Sequence, residues 1–160
     1  MNQLEYEEDV IKHKNNVYDL LEFFGKTLLK RGFTHDDSKL KNPELTEYPK
    51  YIEQLRKTEY GSEEYKAITC GGMKEIIKHH YANNSHHPQY YENSIEGMNL
   101  FDLIEMFCDW KAASVRNPNG SMEKSVEFSV NKFNICPQLA SILRNTIGII
   151  NEEFNRNCQE

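Results

Sequence analysis

The sequence has no long apolar run, no excess of basic residues and no closely spaced pair of cysteines. No stretch approaches the roughly 18 apolar residues that a membrane-spanning helix needs, and the first residues are acidic where a secretory signal would be basic and then apolar. The 19 Lys and Arg residues are outnumbered by 25 Asp and Glu residues, which gives a net charge of −6. This balance argues against a surface built for duplex DNA or an anionic membrane. We therefore expect a cytoplasmic protein that binds neither.

The cysteines are too widely spaced for a zinc knuckle or a redox pair. Cys70, Cys108, Cys136 and Cys158 show no CxxC spacing. Two of them lie within apolar periodic segments, which favours reduced, buried thiols over a disulfide framework. Any metal site in this chain should therefore be built from other side chains.

The apolar pattern is helical along nearly the whole chain. Apolar residues recur at spacings of three and four, and strict alternation over the length of a strand is absent, so we predict an all-α helical bundle. No repeat, linker or low-complexity tract interrupts the pattern, and 160 residues is an ordinary size for one domain, so we expect a single domain over residues 1–160. The predicted helices cover about 4–31, 48–58, 73–82, 98–116, 122–133 and 137–155. Gly32 is predicted to end the first helix.

The six histidines fall in four places, which suggests a metal site. They are His13, His35 next to Asp36, the pair His79-His80 and the pair His86-His87. Imidazole and carboxylate are the ligands that divalent transition metals prefer when thiolate is not supplied. Other interpretations stay open: His13 as a satisfied core residue, Asp36 or Asp37 as a helix cap beside a solvated His35, and the loop histidines as part of a solvated, tyrosine-rich surface.

Helical geometry decides between the histidines of one pair but not of the other. His80 shares a helix face with Met73, Ile76 and Ile77, and adjacent helical residues point about 100° apart, so we expect His80 rather than His79 to face inward. Pro88 favours an extended conformation at the residue before it, which leaves the choice between His86 and His87 open.

The most apolar predicted helix carries three carboxylates along one flank. Asp102, Glu105 and Asp109 are separated by three and then four residues, so they share nearly one direction. Asp102 or Glu105 is expected either to orient a ligand imidazole through its second N–H or to be solvated. Lys39 is a candidate phosphate contact or a solvated lysine.

The order His13, His35-Asp36 and Asp109 resembles the H…HD…D signature of the HD-domain superfamily, over roughly residues 10–116. The strings HDDSKL, HHYANN, HHPQYY and DLIEMFCDWKAA are also similar to those of small bacterial and phage proteins that carry this signature. The resemblance implies an HD-type helical bundle with His13, His35, Asp36 and Asp109 as metal ligands. The extra histidines, His80 among them, resemble those of members that bind a second ion, although the GYP triplet of those members is absent here.

Most known members of that superfamily are phosphohydrolases, so we expect a phosphohydrolase that uses one or two divalent ions, such as Mn, Fe, Co, Ni or Zn. The expected substrate is a nucleotide or a related small phosphoester. Lys39 is expected to offset phosphate charge, and His80, His86 or His87 to protonate the leaving oxygen. Two alternatives stay open: a di-iron oxygenase of the same fold, and a non-catalytic, metal-containing binding protein. The sequence does not specify the oligomeric state.

Overall fold

The computed structural model describes residues 2–58, 61–116 and 120–157, with side chains described as far as residue 151. This part of the chain contains eight α-helices, three short 3-10 segments and no strand, so the predicted all-α fold is confirmed. The α-helices are α1 (Gln3–Thr34), α2 (Glu44–Glu47), α3 (Pro49–Leu55), α4 (Glu63–Cys70), α5 (Lys74–Asn83), α6 (Leu100–Arg116), α7 (Met122–Lys132) and α8 (Pro137–Asn157). Among the helices of the described residues, none combines the length and the apolar character needed to span a bilayer.

The chain forms two compact units, Met1–His35 and Asp36–Glu160, and the first unit is essentially α1. Asn2 caps this helix: its side chain accepts a hydrogen bond from the Glu5 backbone N–H, and the Glu5 carboxylate accepts one from the Asn2 backbone N–H. The prediction that Gly32 ends the helix is wrong, because Gly32 is helical and α1 continues to Thr34. The helix ends just before Asp36, which takes the left-handed conformation at φ 58°. No residue of α1 is buried.

The core of the second unit lies between its last three helices. Buried side chains from α6, α7 and α8 and from the turn between α7 and α8 form one apolar cluster: Phe107, Met122, Val126, Ile135, Ala140, Leu143 and Ile147. Trp110 of α6 is half-buried and packs against this cluster. Burying such side chains is the main stabilising contribution to a domain of this size. α6 is therefore held firmly on one side, and its carboxylates lie on the flank that this core does not cover.

The first half of the second unit is built from short helices. The 3-10 segment Asp37–Leu40, α2 and α5 pack against one another, and the 3-10 segment Pro88–Tyr90 packs against α5. The sequence analysis missed α4, whose two turns carry no buried residue. The predicted 48–58 helix is shorter in the structure, where α3 covers Pro49–Leu55.

Three of the four cysteines lie among the described residues, and Cys158 lies outside them. Cys70, Cys108 and Cys136 are free thiols, as the spacing predicted. All three are exposed, so the expectation of buried thiols is wrong for them. Cys108 illustrates the reason, since it lies on the side of α6 that turns away from the core residue Phe107.

Candidate metal centre

Three histidines and one aspartate meet in the second unit. One ligand atom from each of Asp36, His80, His86 and His87 lies within 4.8 Å of those of the other three. Asp36 Oδ1 is 3.3 Å from His80 Nε2 and 3.6 Å from His86 Nε2. His80 Nε2 is also 2.8 Å from His87 Nε2. His80 and His86 are buried, and the other two side chains are half-buried. We call these four residues the metal-candidate cluster.

Asp36 is placed by an unusual backbone conformation and by one ion pair. Its left-handed conformation is tolerated better by Asp than by most residues, and Asp36 directly precedes the 3-10 segment Asp37–Leu40. Lys39 Nζ donates a hydrogen bond to Asp36 Oδ2 at 2.6 Å. Oδ1 therefore faces the histidines while Oδ2 is held by Lys39.

His80 is placed by the apolar face of α5. Ile76, one turn earlier on the same face, is buried, and His80 itself is only 3% exposed. The adjacent His79 has a side chain that is 37% exposed. The helical period thus brings His80, rather than His79, into the cluster.

Asp102 fixes the loop that carries His86 and His87. Its carboxylate is 1% exposed and accepts hydrogen bonds from Ser85 Oγ at 2.8 Å and from Tyr91 Oη at 2.6 Å. It also accepts one from the backbone N–H of Asn99 at 3.1 Å. Asp102 therefore holds both ends of this loop against α6. None of these three hydrogen bonds involves an imidazole.

We expect Asp102→Ala to destabilise the fold by about 3 kcal/mol, because buried donors lose a charged acceptor. Urea denaturation would measure this loss. Glu92→Ala is the control, since Glu92 is exposed in the same loop, and its effect should stay within about 0.5 kcal/mol. Equal stability of the two variants would contradict the anchoring role.

The other two carboxylates of α6 lie beside His86. Glu105 Oε1 is 3.1 Å from His86 Nδ1, the contact expected of a residue that orients an imidazole. A carboxylate oxygen of Asp109 lies within 4.8 Å of a ring nitrogen of His86. The flank that the sequence predicted therefore faces the loop and its histidines, and the three carboxylates have different partners.

Glu44 belongs to the site and was missed by the sequence analysis. It is fully buried in α2, with Oε1 2.7 Å from His79 Nδ1 and Oε2 2.9 Å from His80 Nδ1. Ser38 Oγ donates to Oε2 at 3.0 Å. A single Glu after Pro43 in a polar stretch has no periodic signal, so only the packing of α2 on α5 reveals it.

The surroundings of His80 and His87 favour their neutral form near pH 7. Burial lowers the pKa of His80, and the positive charge of Lys39 lowers it further. Burial also lowers the pKa of His87, to about 3, with added repulsion from His86 and His80. Neutral imidazole is the form that binds a metal ion.

We expect chelator-treated protein to lose stability as the pH falls from 7 to 5. The unfolded chain binds a proton on each ring near pH 6.5, whereas folded His80 and His87 bind it only at lower pH. The unfolded state then binds more protons, so the free energy of unfolding falls by up to about 1.4 kcal/mol per pH unit for each ring. Urea denaturation at several pH values in this range should show that the free energy of unfolding of His87→Gln falls less steeply with pH than that of the wild type. The same pH dependence of the free energy of unfolding in both proteins would contradict the lowered pKa of His87.

Two of the predicted ligands lie in the first unit. His13 is exposed in the middle of α1, and His35 is half-buried at its C-terminal end, directly before Asp36 in the chain. Their roles as ligands stay predictions from the resemblance. Lys39, the predicted phosphate contact, lies at the cluster with a side chain that is 41% exposed.

The fold and the site together define an all-α protein with a cluster of three imidazoles and one carboxylate that could hold a metal ion. The chain belongs to the family DUF5662, a family of unknown function, which matches residues 2–149. No curated protein and no solved structure matches the chain.

Proposed function

We propose that this protein is a divalent-metal-dependent phosphohydrolase whose ion is held by the metal-candidate cluster. One observation carries the metal site: His80 and His86 each direct Nε2 toward Asp36 Oδ1 while Nδ1 lies at a second carboxylate. Metal-binding histidines commonly show this arrangement, in which the outer carboxylate fixes the ring orientation. Asp109 lies within reach of His86 as a further oxygen donor.

The donor set and its spacing fit such an ion. Imidazole nitrogen combined with a carboxylate oxygen suits Zn, Fe, Mn, Co and Ni. Two ligands about 2.1 Å from one ion, at about 90–110° to each other, lie about 3.0–3.4 Å apart. The separations of 2.8, 3.3 and 3.6 Å within the cluster scatter around that range.

The histidines of the cluster are better suited to hold the ion than to protonate the leaving group. The Nε2 atoms of His80 and His87 face each other, and a nitrogen bound to an ion carries no proton to donate. This argument favours a ligand role over the catalytic role that the sequence suggested for them. A bound divalent ion supplies Lewis acidity toward a phosphoryl oxygen and acidifies water.

Lys39 and two tyrosines shape the surroundings of the cluster. Lys39 brings a partly exposed positive charge to Asp36, where it can attract an anionic phosphate in a protein of net charge −6. The Tyr48 ring lies 6.1 Å from the His80 ring, and the Tyr81 ring lies 4.9 Å from the His87 ring. A nucleotide or a related small phosphoester fits this combination of cation and aromatic faces.

The test is a phosphate-release assay on chelator-treated protein reloaded with Mn, Fe, Co, Ni or Zn. A panel of nucleotides and small phosphoesters serves as substrates, and bound metal is counted for every sample. We expect release that depends on the ion. Lys39→Ala should keep the metal and lose about tenfold or more in rate, because it removes a charge that stabilises phosphate. Lys41→Ala, an exposed neighbour, should behave like the wild type.

Wild-type protein that retains no metal under any loading would overturn the proposal, and so would either of two results with metal-loaded protein. Metal retention without phosphate release on any substrate would favour a binding protein. Oxygen consumption by the iron-loaded protein, with no phosphate release, would favour the oxygenase. Equal rates for Lys39→Ala and Lys41→Ala would remove Lys39 from the mechanism.

A further inference from the structure

Glu44 carries a charge that is fully removed from solvent, and such a charge must be offset by hydrogen bonds. Its two oxygens face the Nδ1 atoms of His79 and His80, at 2.7 and 2.9 Å. An ionised carboxylate only accepts hydrogen bonds. Each of these two ring nitrogens therefore carries the proton of its ring and donates it to Glu44.

The other contacts of His80 Nδ1 agree with this assignment. The side-chain amide of Asn84 has two hydrogens, and it donates to Ser38 Oγ and to the His80 backbone carbonyl, both at 2.7 Å. It has no third hydrogen for His80 Nδ1, which lies 3.1 Å away. Ser38 Oγ lies 3.0 Å from Glu44 Oε2 and 3.2 Å from His80 Nδ1, and the carboxylate is the closer and stronger acceptor for its one hydrogen. Glu44 Oε2, at 2.9 Å, is likewise the closest acceptor for the proton on His80 Nδ1.

A neutral imidazole with its proton on Nδ1 has a lone pair on Nε2. On His80 this lone pair faces Asp36 Oδ1 at 3.3 Å and His87 Nε2 at 2.8 Å. A cation between these atoms would offset the repulsion between the lone pairs of His80 Nε2 and Asp36 Oδ1. Glu44 therefore fixes the tautomer of His80 that presents a metal-binding nitrogen to the cluster.

We infer that Glu44 is a positioning residue for the metal centre: it sets the proton of His80 on Nδ1 and turns Nε2 toward Asp36 and His87. This inference rests on the proposed metal site. Glu44 has the same relation to His80 that Glu105 has to His86, but it reaches its histidine from a different element, α2. It also holds His79, so one carboxylate fixes two neighbouring rings of α5.

The test combines histidine nitrogen NMR with metal titration. In chelator-treated wild-type protein, the nitrogen shifts of His80 should report the Nδ1–H tautomer. Glu44→Gln has one oxygen and one NH₂ group, so it accepts from only one ring and should shift His80 toward the Nε2–H form. In competition with a chelator, Glu44→Gln should bind Zn or Co about 10- to 100-fold more weakly than the wild type. Glu47→Gln is the matched control, because Glu47 lies in the same helix and pairs with Lys50 at the surface.

The outcomes separate this inference from the proposed function. Wild-type protein that retains no metal under any loading overturns the proposed function, whatever the tautomer. Metal-binding wild-type protein with His80 in the Nε2–H form overturns the role of Glu44 alone, and this measurement needs no variant to fold. Equal metal affinity of Glu44→Gln and Glu47→Gln also overturns it.

Discussion

We expect Asp36→Asn to bind the proposed metal ion at least about 100-fold more weakly than the wild type. Asp36 is the carboxylate of the metal-candidate cluster, and its Oδ1 faces both His80 and His86. Removing this charge leaves the cluster itself with three imidazoles, which hold a divalent ion less tightly than a set with an anionic oxygen. Asn is the suitable replacement, because it tolerates the left-handed conformation of this position. Metal content after loading and gel filtration would measure the loss.

The adjacent aspartate is the control for this experiment. Asp37 starts the following 3-10 segment and is not among the candidate metal ligands found in the described residues. Asp37→Asn changes the net charge by the same amount and should keep the wild-type metal content. If the two variants retain equal amounts of metal, Asp36 is not a ligand and the centre has been placed wrongly.

Ile147→Ala will destabilise the protein by about 2–5 kcal/mol, the range for removing a buried isoleucine side chain. Ile147 is 5% exposed and belongs to the apolar cluster between α6, α7 and α8. The substitution leaves a cavity in the part of the fold that holds α6. This helix carries Asp102, which anchors the loop with His86 and His87. Denaturant titration gives the change, and the slope of the titration shows whether unfolding remains two-state.

Ile149→Ala is a control of the same chemistry on the same helix. Ile149 is 66% exposed, so its loss should cost less than about 1 kcal/mol. A cost for Ile149→Ala as large as that for Ile147→Ala would mean that the face of α8 described as buried is not the one that packs.

Helices with a strong apolar period could be predicted from the sequence, and short ones could not. The most apolar segment was predicted at 98–116 and forms α6 at Leu100–Arg116, with Met106 and Phe107 buried. α4 has only eight residues and buries none of them, so no stripe marks it. Gly32 misled the prediction of the first helix end, since a glycine that keeps helical dihedrals does not stop a helix.

The polar flank of α6 shows that helical periodicity alone does not predict which side chains are buried. Ile104 is apolar yet 41% exposed, whereas the charged residue Asp102 is almost fully buried. The period gives the direction of each side chain but not what covers it. Here a polar loop anchored by Ser85 and Tyr91 covers the carboxylate side.

The site was predictable only in part, because helical periodicity does not show which elements pack together. Helical geometry selected His80, and the adjacency of histidines drew attention to His86 and His87. Glu44 is 36 positions from His80, and its role depends on the packing of α2 against α5. Contacts over such a distance in sequence leave no local pattern to read in a single chain.

Trp110 gives this protein an internal optical reporter. It is the single tryptophan of the sequence, it directly follows Asp109, and it packs against the core. Its emission therefore comes from one position, next to a carboxylate that lies close to His86. Unfolding should shift that emission to longer wavelength, and paramagnetic ions such as Co or Ni bound at the cluster should quench it. One unlabelled sample can thus follow both folding and ion binding by fluorescence.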